Sequence, residues 1–349
     1  MSQLTARAAG ENRTKMTMLK LLCGVSIWRT AMTFVLPLCG GSAWWVGLVC
    51  LLPGFAVAAL MRLVMCFTHT ETLTEAVRSC LGKVGVWAIS VVLAALLLVE
   101  GLSGLTALIT LFTQGVGTRG TPFTLALLTG GALLFSLHRD GLPRATHFLR
   151  WGIVAAAMLI AACLLPDAQL DHLFPLHGEG DASVLAAMKA GVSLAWPVTL
   201  LLTVQPTPVG RLRNAVLPAF AVAAALLLMT LIVPQELLSR QTSLAAMLLL
   251  PTRYAANALR VLYLCLLMLT IFLSIGASVH LATEHLCAPL KYRAKWLPHA
   301  LLIGLIFTQA GDASSLWEVF AAVQPWLLVP LAGIAMICLF MAVIRRRNA

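Results

Sequence analysis

Ten apolar runs, nearly free of charge, divide this sequence, and only a lipid bilayer accommodates such a pattern. They cover residues 19–38, 44–62, 85–112, 122–137, 150–166, 183–204, 215–233, 256–283, 297–309 and 320–344. A helix needs about 20 apolar residues to cross the ~30 Å hydrocarbon layer. The ninth run is short, while the third and eighth are long enough to cross at a steep tilt. Composition agrees: 60% of the 349 residues are apolar and 11% charged, and the mean hydropathy is +0.93. A soluble domain carries about 25% charged residues, so soluble and disordered classes are excluded. The first run is not expected to be a cleaved signal peptide, because Arg29 interrupts it and no small-residue cleavage site follows.

Basic residues set the orientation. With ten crossings, both termini lie on one side and the breaks alternate. The breaks assigned to the inside carry Arg7, Arg13, Lys15, Lys20, Arg62, Arg78, Lys83, Arg139, Arg144, Arg150, Arg211, Arg213, Lys291, Arg293, Lys295 and Arg345 to Arg347. Those assigned to the outside carry Arg119, Arg240 and Arg253. Eighteen against three is the asymmetry expected when both ends are cytoplasmic. The net charge of +11 reads as this bias and not as a nucleic-acid surface. Of nine Trp, most fall near the expected interfaces, whereas Trp28 and Trp196 lie well inside their spans.

The chain therefore reads as an all-α integral membrane protein of about ten transmembrane helices. A polar tail, 1–18, precedes a single membrane domain, 19–344, and a basic tail closes the chain at 345–349. The largest outer stretches, 167–182 and 234–255, are too small to be domains, so function must reside among the helices.

Catalytic signatures are missing: no G-x-S-x-G, H-E-x-x-H or Walker-type loop occurs, so an enzyme is not expected. Nine Cys include no C-x-x-C pair and read as small buried apolar residues. His280 and His285 are five apart and fall on different helix faces, so no metal site or cofactor is expected there. Ionisable groups inside the bilayer say more, since each costs roughly 2.5–3.5 kcal/mol at a helix centre. Arg29 lies nine residues beyond Lys20, about 13 Å deep. Glu100 sits near the middle of the third span, at a similar depth. Two readings follow: a structural ion pair between them, or an Arg29 that meets a ligand carboxylate in a polar cavity. Lys189 and Arg260 lie close enough to the outer edge to snorkel. The sixth span reads Gly191-Val192-Ser193-Leu194-Ala195-Trp196-Pro197, and Pro197 predicts a kink or break. Ser26, Thr30 and Thr33 on the first span, with Ser274 and Ser278 on the eighth, could supply hydroxyls to a ligand or bond back to their own helices.

Ordered short motifs run the length of the chain. Leu36-Pro37 closes the first span and Gly40-Gly41-Ser42-Ala43-Trp44 enters the second. Thr72-Leu73-Thr74-Glu75 and Leu81-Gly82-Lys83-Val84-Gly85 lead into the third. Thr121-Pro122 opens the fourth, Asp140-Gly141-Leu142 with Arg144 precedes the fifth, and an outer segment runs Leu170-Asp171-His172-Leu173-Phe174-Pro175 to Gly180. In this order they resemble the B-subunit family of bacterial spore germinant receptors, the endospore germination permeases of the amino acid–polyamine–organocation transporter superfamily.

The resemblance implies two five-helix inverted repeats, here 19–166 and 183–344, with the first and sixth helices unwound at mid-membrane. Together with the third and eighth they would surround a small germinant, an amino acid by family habit. Ser26, Arg29, Thr30, Glu100, Gly191, Ser193, Trp196 and Pro197 are the candidate site. It also implies an A-type membrane subunit and a C-type lipoprotein as partners, in the bacterial cytoplasmic membrane or spore inner membrane. An ion-coupled amino acid permease and a non-binding scaffold subunit are the alternatives. The chain departs from the family pattern at three places. No glycine occurs in Arg29-Thr30-Ala31-Met32, Gly104 and Thr106 stand where relatives often place a charge, and Val198 and Thr199 where an acid is frequent.

Overall fold

The computed structural model describes residues 2–70, 72–111, 141–173, 184–186, 188–189, 194–203, 208–233, 257–290, 323 and 326–348. Among these the chain is all-helical, with no strand. The helices are α1 (Ser2–Thr30), α2 (Leu36–Cys39), α3 (Ala43–Cys50), α4 (Leu52–Phe67), α5 (Leu73–Thr110), α6 (Gly141–Leu164), α7 (Ala195–Thr203), α8 (Pro208–Ile232), α9 (Asn257–Leu290) and α10 (Leu328–Asn348). Four stretches are long and apolar enough to cross a bilayer: Ala43–Phe67, Leu73–Thr110, Gly141–Asp167 and Ala258–Cys287. That is the signature of a membrane protein. The expected spans 122–137 and 297–309 lie outside the described residues, as do Gly191 and Ser193.

The first span does not unwind. From Thr30 (φ −65°, ψ −39°) it passes through a π-helical turn, Ala31–Val35, directly into α2 at Leu36 (φ −60°, ψ −45°). This corrects the expectation carried by the family resemblance, and the sequence gives the reason. No glycine is present to break the helix, while Pro37 would press on the carbonyl four residues back. A π turn relieves that clash by widening the helix locally. The Leu36 N–H then bonds to the Ala31 carbonyl, five residues back. Thr33 Oγ1 donates to the Arg29 carbonyl at 2.9 Å, satisfying an acceptor at the widened turn.

The third span opens on an N-cap: the Thr72 side chain accepts from the Glu75 N–H at 3.3 Å. Inside α5, Gly82 adopts φ +66°, ψ −151°, a conformation reserved for glycine. It bends Leu73–Leu81 away from the crossing that follows. Gly85 leaves room at the bend, since a Cβ there would lie 2.9 Å from Val77 Cγ1. The two motifs before the third span thus have plain structural causes, a cap and a hinge.

The remaining packing centres on α1, α5 and α9. α1 and α9 run antiparallel: Lys15 Nζ meets Glu284 Oε1 at 2.8 Å, and Arg29, further along α1, approaches the Gly104 position beside Ile275 of α9. α6 is joined near its start to the middle of α1, where Thr17 Oγ1 and His147 Nδ1 lie 3.3 Å apart. Trp28, far from either interface, is half-buried and packs against the apolar core. α6 turns Phe148, Trp151, Val154 and Met158 outward, as a lipid-facing helix does.

Candidate functional site

Arg29 and Glu100 meet. Arg29 Nη2 donates to Glu100 Oε1 at 2.5 Å, with both side chains 1% exposed. The two charges that hydropathy placed at one depth are thus a desolvated ion pair bridging α1 and α5. Such a pair satisfies each charge with the other, while loss of either partner leaves a buried charge alone.

Gly104, one turn beyond Glu100, creates the space for this guanidinium. A Cβ at Gly104 would stand 3.0 Å from Arg29 Nη1 and 2.9 Å from Ile275 Cγ1. The Gly104 position is a notch filled from α1 by the Arg29 guanidinium. Sequence reasoning named Gly104 only as a departure from the family pattern, without a role, and did not name Ile275. The available signal was a glycine on the same helix face as a buried carboxylate, four residues on. Gly104→Ala should displace Arg29 from Glu100 and lower the thermal midpoint in detergent. Most of that loss should vanish in an Arg29→Lys background, which has no Nη1 to crowd; equal shifts in both backgrounds would show that the notch serves only Ile275.

The other candidate residues divide cleanly. Thr30 and Ser26 are buried on α1, and Ser26 Oγ has no hydrogen-bond partner among the described residues. Thr33, Ser274 and Ser278 bond back to their own helices, at 2.9 Å to Arg29 O, 2.7 Å to Ile271 O and 2.8 Å to Ile275 O. Pro197 stands in the first turn of α7, where its missing N–H is tolerated. Its carbonyl accepts from Cys23 Sγ at 3.3 Å, which ties α7 to α1 one turn before Ser26. Trp196 is 1% exposed and borders the same small void as Leu93, Leu96 and Leu97, from the turns of α5 that precede Glu100. Its indole N–H has no hydrogen-bond partner among the described residues.

Two small voids border this level among the described residues. The void beside Trp196 is lined by Leu93, Leu97, Thr199, Leu328 and Leu331 and measures about 10 Å³. A second, bounded by Ile27, Ala31, Leu51, Leu194 and Leu226, is of the same size. Each holds at most one water. The pair is closed in this conformation. No protein-family model matches the chain, and no curated protein is found similar to it.

Proposed function

We propose that this chain is a ligand-sensing membrane subunit on a permease fold, of the germinant-receptor kind its motifs resemble, and that Arg29 and Glu100 are its ligand-responsive element. The ten-span layout with two inverted repeats and cytoplasmic termini is part of this reading. Contacts between distant segments support the alternation. Lys15 with Glu284 and Thr17 with His147 join breaks that the basic residues put inside. His172 Nδ1 bonds to the Leu231 carbonyl at 2.8 Å, joining a segment assigned to the outside to the end of the seventh span that should lie at the outer face.

The observation that carries the reading is the neutral, fully buried ion pair. A small zwitterion offers both opposite charges: its carboxylate replaces Glu100 on Arg29, and its ammonium takes Glu100. One buried pair becomes two, with no change in net charge. A ligand carrying net charge would leave one buried charge unbalanced, at a cost of several kcal/mol. Because the closed form has room only for single waters, ligand must select a more open form, and it shifts that equilibrium through unequal affinity for the two. In a receptor the shift passes to an A-type membrane subunit and a C-type lipoprotein.

Equilibrium binding of neutral amino acids, their amides and their N-acetyl derivatives tests this. The parent compound should bind, and each capped form should weaken by on the order of a hundredfold, since one buried charge then goes unmatched. Equal binding of parent and capped forms would refute the zwitterion site; no binding by any amino acid would favour a scaffold subunit. Uptake of labelled amino acid into proteoliposomes separates receptor from ion-coupled permease, because a receptor accumulates little.

A further inference from the structure

The start of α6 carries Arg144, His147 and Arg150 at successive turns of one face, and the whole helix contains no Asp or Glu. The Arg150 side chain runs back along the helix, and its Nη1 lies 3.2 Å from His147 Nδ1. An arginine can only donate, so Nδ1 accepts at this contact. Thr17 Oγ1 of α1 lies 3.3 Å from the same nitrogen. The Arg150 guanidinium is 5.0 Å from the Trp151 ring centroid, and its Nε is buried with no hydrogen-bond partner. The carboxylate at this end of α9, Glu284, is taken by Lys15 at 2.8 Å. Arg150 therefore holds a charge that no carboxylate among the described residues offsets. Beside it, Phe148 is 84% and Trp151 69% exposed on the lipid-facing side.

We propose that this seam between α1 and α6 binds an anionic phospholipid. Arg150 holds the phosphate, and Phe148 and Trp151 lie against the glycerol and the upper acyl chains. A guanidinium stacked on an indole at the hydrocarbon edge is directional, desolvated and net positive, which suits a headgroup bearing net negative charge. A zwitterionic headgroup brings its own cation and gains less.

The test compares the purified protein with phosphatidylglycerol, with phosphatidylcholine of identical chains, and with glycerol phosphate alone, by native mass spectrometry and thermal unfolding. Phosphatidylglycerol should be retained and should raise the midpoint, while the other two do neither. Arg150→Gln should weaken retention about five-fold, the factor equivalent to ~1 kcal/mol for one cation at a lipid surface. Arg150→Lys should keep most of it, and Arg260→Gln, on a distant part of α9, should change nothing. If Arg150→Gln does not insert, Trp151→Leu, which removes the ring beside the guanidinium, carries the same expectation. Equal retention of the two lipids, equal stabilisation by glycerol phosphate, or a Gln variant that binds like the parent would overturn the proposal.

Discussion

Arg29→Ala should remove most of the correctly inserted protein, and not merely a ligand response. The guanidinium it deletes is the hydrogen-bonded counter-charge of Glu100, and both side chains are 1% exposed. Removing one partner of such a pair costs about 3–5 kcal/mol, because the survivor is stranded without water. Glu100→Gln should behave alike, leaving the guanidinium with an amide in place of a carboxylate. Arg29→Lys keeps the charge and should insert, with weaker pairing for want of the planar fork. Most diagnostic is the double variant Arg29→Met with Glu100→Leu. Replacing both charges by apolar groups of similar size is often neutral or stabilising, so abundance should recover while ligand binding does not. Size-exclusion yield from membranes and thermal midpoints in detergent measure the first, and equilibrium binding the second. If the single substitutions insert as well as Arg260→Gln, the pair does not hold α1 to α5 in the membrane. If the double variant still binds ligand, the pair is structural alone.

How much of this could be read from sequence varies with the physics involved. Apolar runs report burial in lipid directly, so expected spans such as 85–112 and 256–283 coincide with the bodies of α5 and α9. The depth of Arg29 and Glu100 follows from residue counting at a fixed rise, which brought both to one level. Which of two readings holds depends on side-chain distance, and no linear pattern encodes that. The π turn after Thr30 shows the converse. The absence of glycine was visible, yet the family pattern argued for a break, and the local conflict between Pro37 and the carbonyl of Thr33 determined the outcome. Gly82 and Gly85 looked like family markers, and the backbone supplies their cause, one positive φ and one close approach. Helix-to-helix notches such as Gly104 are the least legible, because a glycine in an apolar run looks the same whether it faces lipid or a guanidinium.

Gly54→Ala should be the most damaging of the small substitutions, and it bears on how α7 is held. A Cβ at Gly54 would lie 2.8 Å from the carbonyl carbon of Ala195 and 2.9 Å from its Cα. These are backbone atoms in the first turn of α7, and no rotamer change can move them aside. Carbon atoms pack at about 3.5–4.0 Å, so α7 would have to retreat from α4 by roughly 1 Å. That retreat breaks the 3.1 Å hydrogen bond from Thr199 Oγ1 to the Gly54 carbonyl. It also carries Trp196 and Pro197 with it, away from Leu97 and Cys23. Overpacking of this kind costs about 1–3 kcal/mol, and a backbone clash belongs at the upper end or beyond. Gly24→Ala is the matched control: nothing lies within 4 Å of its added methyl, and alanine favours the helix. The expected result is a large fall in thermal midpoint and in ligand affinity for Gly54→Ala, with Gly24→Ala unchanged or slightly more stable. A larger side chain at position 54 tolerated as well as at 24 would mean that α4 and α7 do not meet backbone to backbone. Trp196 would then have no rigid strut fixing it beside the turn that carries Glu100.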